Sequence, residues 1–240
     1  MKRADRSHSF TRIVDLSHPL YPGMPGWPTQ PSLNYETIKI AARDGYTLTL
    51  INRMVTHTGT HIDAPAHFLS DGTTVDKMPI ESLYGAGTVI DLSPLKKETE
   101  EITVQDLQDF DHEIAKGDVL VIRTGWEEKW GLGHDYLFEW PYLGVEAAKY
   151  LVSKKVKAVG IDALSVGGWN ESVPEQGPLA KSSPSEVHKI LLRAGVVIIE
   201  ELTNLGTVLN GSRAAKAFFI FAPLNFVGAE GSPTRALALI

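Results

Sequence analysis

The chain has 240 residues, no cysteine and a net charge of −6. It can hold no disulfide, thiolate nucleophile or cysteine-ligated zinc, which fits a reducing compartment. Charged residues make up 22% and apolar residues 43%, as in globular proteins, and the lysines and arginines are scattered, which argues against a nucleic-acid groove or a polybasic membrane patch.

Residues 1–10 are polar and read as a flexible tail, without the apolar run of a secretion signal. Phe10–Leu16 reads as a first strand. Pro19, Pro22, Gly23, Pro25, Gly26, Pro28 and Pro31 then forbid regular structure and predict a stiff, extended loop with Trp27 at its tip. Leu33–Ile40 and Tyr46–Thr56 have the Thr, Leu, Ile and Tyr content of strands. Gly87–Leu92, Asp118–Arg123, Val156–Ile161, Val196–Glu200 and Ala217–Ala222 are short and apolar, as expected for a sheet covered on both faces. Between them fall three helices. Thr103–Phe110 opens on a Thr103/Asp106 capping pattern, and Val145–Ser153 carries apolar residues at helical spacing. The third opens with Ser183 as N-cap, Pro184 in the first turn and Glu186 at the capping-box position, and stops at Gly195. The apolar runs Ala217–Leu224 and Gly195–Ile199 fall far short of the ~18 residues of a membrane span. With no linker or repeat, the expectation is a single α/β layered domain over 1–240, a mixed β-sheet with flanking helices, in the cytoplasm.

The most informative stretch is His57-Thr-Gly-Thr-His61-Ile-Asp63-Ala-Pro65-Ala-His67. Imidazoles and carboxylates are the ligands of catalytic divalent ions. β-Branched residues at 56, 58, 60 and 62, Gly59 and Pro65 oppose a helix. On a straight strand, residues 57 and 61 would lie about 13 Å apart, whereas two ligands of one ion must come within about 4 Å. The chain must therefore bend between them, and Gly59 permits this at positive φ, with Ile62 turned into the core. Isolated histidines are usually structural; four donors in eleven residues around a glycine favour a metal site.

The pattern H-x-G-T-H-x-D-x-P-x-H resembles the signature of the cyclase family of metal-dependent hydrolases, which includes kynurenine formamidase (arylformamidase) and isatin hydrolase. Asp15-Leu-Ser-His-Pro-Leu, Trp27-Pro, Gly160-Ile-Asp162-Ala-Leu-Ser165, Val187-His188, Ile199-Glu200 and Gly231-Ser-Pro-Thr-Arg235 extend the resemblance over most of the chain. It implies a swivelling β/β/α fold. It implies that His57, His61 and Asp63 hold a first divalent ion, zinc or manganese, and that Asp63 bridges to a second held by His188 and Glu200, giving one or two ions per subunit. It further implies that His67 is the general acid/base, that Trp27 lines the substrate pocket, and that the chain forms a homodimer or homotetramer. The residues lend partial support. Glu200 ends an apolar strand, where a charge needs a partner, and Glu201 would then alternate toward solvent. His188 shares the apolar side of its helix with Leu191 and Leu192. His8, His18, His112 and His134 receive no role.

No G-x-S-x-G elbow is present, so hydrolysis by activated water is the economical chemistry. The expected activity is cleavage of an amide C–N bond in a small aromatic or cyclic amide. Formamidases of the family carry an aspartate where Gly167 stands here, ahead of a polar loop at 167–182 with the composition of a lid, which keeps a cyclic amide in contention beside an N-formyl aniline. The alternatives are a non-catalytic protein stapled by its metal and a lyase using the same ion.

Overall fold

The computed structural model describes residues 10–169 and 184–240. The tail with His8, the Ser183 cap and most of the 167–182 loop lie outside the described residues. In chain order the first elements are β1 (Ile13–Asp15), β2 (Asn34–Lys39), α1 (Ala41–Asp44), β3 (Leu48–Arg53), β4 (His61–Asp63) and β5 (Tyr84–Asp91). The middle of the chain forms β6 (Glu101–Ile102), α2 (Val104–Gln108), β7 (Val119–Arg123), α3 (His134–Phe138), β8 (Tyr142–Leu143), α4 (Val145–Lys154) and β9 (Ala158–Ile161). The last elements are α5 (Pro184–Arg193), β10 (Val197–Glu200), α6 (Leu205–Leu209), β11 (Ala214–Pro223) and β12 (Gly231–Leu239).

Eight strands make one mixed sheet in the order β1-β12-β11-β5-β7-β9-β10-β4. The run β5-β7-β9-β10 is parallel and the other pairings are antiparallel. β4 pairs with β10 and also with the start of β12, so the sheet closes into a barrel-like ring. β7 shows why both faces are dry. Val119 and Val121 point into a barrel core with Ile199, Phe219 and Phe221, while Leu120 and Ile122 point outward into a second core with Leu151, Leu191 and Trp126. Strict alternation of apolar side chains to two buried faces is what a covered sheet requires.

The predicted mixed α/β architecture is therefore present. α2 has the Thr103/Asp106 capping box. Gly195, at φ 75°, follows α5 as the expected stop. The long strand β12 was not anticipated: Gly231 and Pro233 are residue types depleted from strands, and only its pairing with β11, β1 and β4 reveals it. β2 and β3 form a separate hairpin whose Ile38, Leu48, Leu50 and Ile51 are all exposed. No helix among the described residues is long and apolar enough to cross a membrane.

His18 has a packing role that its sequence context did not reveal. Its ring stacks on Trp130 with centroids 4.2 Å apart and 8° between planes, and the residue is buried. Burial pulls its pKa down to about 4. The unfolded chain takes up this proton near 6.5, so between those values the unfolded state binds more protons and stability falls with falling pH. His18→Phe keeps a stacked ring and removes the titration. Urea unfolding of the metal-free protein should show the variant losing about 2 kcal/mol less than the wild type between pH 7 and pH 5. Equal losses would contradict a neutral, buried His18.

Candidate metal centre and active site

β4 is the scaffold of the site. Its two partners leave Ile62 fully buried in the barrel core and send His61 and Asp63 to the opposite face. The register pairs His61 with Glu200 of β10, which sets a carboxylate beside the imidazole. The bend ahead of β4 occurs at Gly59, at φ 61°. A Cβ there would also come within 2.7 Å of the Leu20 side chain. α5 brings His188 from above, and a one-turn 3-10 segment, Pro65–His67, carries His67 back over the site.

Two groups of potential ligands result, His57, His61 and Asp63, and Asp63, His188 and Glu200; within each, the ligand atoms lie within 4.8 Å of one another. His57 Nδ1 is 2.8 Å and His61 Nε2 3.5 Å from Asp63 Oδ1. On the other side, His188 Nε2 is 3.6 Å from Asp63 Oδ2 and 3.2 Å from Glu200 Oε1. His61 Nε2 lies 3.4 Å from Glu200 Oε2. The Val166 amide donates to Glu200 Oε1 at 2.7 Å, which fixes that carboxylate. The His61 ring is oriented by Nδ1, 2.7 Å from the Gly59 carbonyl. With Nδ1–H donating there, the Nε2 lone pair faces the cluster.

The donor set fits a divalent cation. Asp63 is fully buried and, among the described residues, its oxygens meet only imidazole nitrogens, His57 Nδ1 at 2.8 Å, His61 Nε2 at 3.5 Å and His188 Nε2 at 3.6 Å, while His61 Nε2 is buried without a hydrogen-bond partner. A buried acceptor nitrogen with no hydrogen-bond partner is costly, and a cation among these atoms would turn the converging nitrogens and oxygens into ligands. The charges are tightly linked. Burial opposes ionisation of Asp63, but the neighbouring His57 and the contacts from His57 and His61 outweigh it and hold the carboxyl well below its ordinary range. Burial works against a charged His61, and Asp63 and Glu200 overcome it, raising the imidazole pKa.

His67 sits at the edge of this cluster, its ring centroid 4.0 Å from that of His57 and 6.2 Å from that of His188. Desolvation pulls its pKa down to about 4 despite the attraction of Asp63. A cavity of about 240 Å³ opens over the cluster, bounded on its apolar side by Trp27, Phe68 and Leu164. Trp27 is anchored from behind by Trp169 and Trp140, at centroid distances of 5.0 and 5.8 Å. All the residues singled out from the sequence, His57, His61, Asp63, His67, His188, Glu200 and Trp27, thus line or adjoin one cavity.

Glu201 departs from expectation. It is 1% exposed rather than facing solvent. The strand ends at Glu200, and Glu201 takes φ 54°, its amide donating to the Ala163 carbonyl and its own carbonyl accepting from the Thr60 hydroxyl. Strand alternation no longer applies at such a residue, and burial pushes its carboxyl up to about 7. Sequence reading also missed Phe68 and Gln30 as cavity residues. Phe68 had a signal, being adjacent to His67; Gln30 in its loop had none. Asp162 proves to be an anchor: its carboxylate accepts from the Thr124 amide and hydroxyl and from the Gly125 amide, at 2.7–2.8 Å, which fixes the segment carrying Ser165.

Residues 14–167 match the Cyclase family model, described as "Putative cyclase". Kynurenine formamidase of Geobacillus thermodenitrificans is 33% identical over 224 residues, covering 93% of this chain and 95% of the relative. Among solved structures, isatin hydrolase A from Labrenzia aggregata, bound to benzyl benzoate, superposes with a TM-score of 0.80 at 28% identity, covering 95% of this chain and 93% of that one. Isatin hydrolase A from Ralstonia solanacearum gives a TM-score of 0.79 at 25% identity, with 95% and 92% covered.

Proposed function

The chain belongs to the cyclase family, and from that premise we propose that it is a metal-dependent amidohydrolase that cleaves the amide C–N bond of a small aromatic or cyclic amide. The observation that carries this reading is the fully buried Asp63 carboxylate at the focus of three imidazoles and a second carboxylate. His57, His61 and Asp63 would hold one ion, and Asp63, His188 and Glu200 a second. Imidazole and carboxylate ligands suit zinc and manganese. When bound, such an ion acidifies water to near-neutral pKa and polarises the scissile carbonyl.

The chain's own groups supply the rest. Desolvation keeps His67 neutral at pH 7, so its ring is ready to accept the proton of the attacking water and pass it to the leaving nitrogen. Trp27 and Phe68 offer faces on which the substrate's ring can stack. The cavity of about 240 Å³ suits a one- or two-ring amide. A homodimer or homotetramer accounts for the exposed Ile38, Leu48, Leu50 and Ile51 on the β2–β3 hairpin, since apolar surface of this kind marks association sites. The absence of cysteine supports a cytoplasmic setting.

A panel of formanilides and isatin-like lactams, assayed in ¹⁸O-labelled water, tests the assignment. Hydrolysis places one solvent oxygen in the acid product. Turnover without label, or a dehydrated product, would point to lyase chemistry, and no turnover across the panel with a loaded site would mark the metal as a structural staple.

A further inference from the structure

We propose that Glu230 is a positioning residue for His57, holding that imidazole with Nδ1 toward Asp63 and the cation site. The inference rests on the metal-centre reading above. His57 Nδ1 lies 2.8 Å from Asp63 Oδ1, while Nε2 points away from the cluster, 3.4 Å from Glu230 Oε1. Nε2 is otherwise buried without a hydrogen-bond partner. Glu230 is itself held. The Thr56 hydroxyl donates to its Oε1 at 2.6 Å, and its backbone carbonyl accepts from the Ala64 amide at 2.9 Å.

The next residue is shaped to the same ring. A Cβ on Gly231 would stand 2.5 Å from His57 Cε1 and 2.8 Å from Nε2, so a side chain there would evict the imidazole. Gly231 is not at positive φ; the space it leaves is its contribution. His67 covers a face of the ring, with 33° between planes. His57 is thus enclosed by Gly231, His67 and Asp63, with Glu230 as the polar group at its outer nitrogen.

A carboxylate at Nε2 favours the tautomer protonated there. That leaves the Nδ1 lone pair for the cation. His61 is arranged the opposite way, Nδ1 toward the Gly59 carbonyl and Nε2 toward the cluster. The two histidines of one bent segment therefore present different nitrogens to a common focus, and each needs its own outer partner to fix its tautomer.

The test uses zinc titration of chelator-stripped full-length protein against a chromophoric competitor, with Glu230→Ala and Glu230→Gln. Glu230 is 42% exposed, so both variants should fold. Glu230→Ala is expected to weaken one binding step by about 10–100-fold, with the His188/Glu200 step unchanged and Glu230→Gln intermediate. Imidazole ¹⁵N shifts of the zinc-loaded protein give a second readout: the His57 Nε2–H resonance should be that of a carboxylate-bonded imidazole in the wild type and should move in Glu230→Ala. Wild-type zinc affinity and an unchanged His57 Nε2 shift in zinc-loaded Glu230→Ala would overturn the proposal alone. Failure of the wild type to bind zinc at all would overturn the metal-centre reading and this assignment with it.

Discussion

Asp63→Asn should empty the metal centre and lower amide hydrolysis by at least about a thousandfold, or roughly 4 kcal/mol of transition-state stabilisation, while the fold persists. Asp63 is common to both ligand groups. One oxygen faces His57 and His61 and the other faces His188. Asparagine keeps the shape but replaces one of these acceptors with an NH₂ group and removes the charge, so one site loses its ligand oxygen and both lose the negative charge. The fold as a whole rests on its two apolar cores and survives the loss of that charge. In the stripped protein burial opposes the ionised carboxyl, but His57 and His61 outweigh it, so part of the folded state's stability goes with the charge. Thermal unfolding of the stripped proteins should therefore give Asp63→Asn a lower Tm than the wild type but still a single cooperative transition. Added zinc should raise Tm only for the wild type, because a ligand stabilises only the state that binds it. Metal analysis and initial rates check the outcome; a variant that retains its ions, or hydrolyses within about tenfold of the wild type, contradicts the central place of Asp63.

The second large effect is expected at His67. His67→Ala should lower kcat by roughly 10²–10⁴-fold, the usual range for a lost general acid/base, with metal content unchanged. His67 belongs to neither ligand group. It lies on a separate turn after β4, with its ring against those of His57 and Phe68 at the cavity wall. Its truncation thus leaves the candidate ligands in place. The burial that holds its pKa near 4 makes it a proton acceptor at neutral pH. Loss of the ions in His67→Ala would recast the residue as a ligand, and full activity with the ions in place would remove it from the mechanism.

What could be read from the sequence was the part the site encodes locally. The bend at Gly59 follows from ligand distance alone, because no extended chain brings residues 57 and 61 to one ion, and the backbone turns there at φ 61°. The mixed sheet follows from short apolar runs such as Val119–Ile122, which bury both faces. His188 and Glu200 were legible only through family resemblance. What brings Glu200 to the site is the β4–β10 register that sets it opposite His61, a pairing across well over a hundred residues with no local trace. β12 was hidden for the same reason, its glycine and proline contradicting its state until β11 and β4 are beside it. Glu201 was misplaced because alternation assumes that a strand continues, and here it ends in a positive-φ turn. Glu230 is remote in sequence from His57, and only the closure of the sheet brings them together.

The most direct test of the account removes and restores the cation. Protein purified without chelator should contain up to two divalent ions per subunit and hydrolyse an aromatic or cyclic amide. Dialysis against a chelator should abolish both, and returning zinc or manganese should restore the rate in proportion to the ions bound. Undiminished hydrolysis by protein stripped of all transition metal would contradict the account.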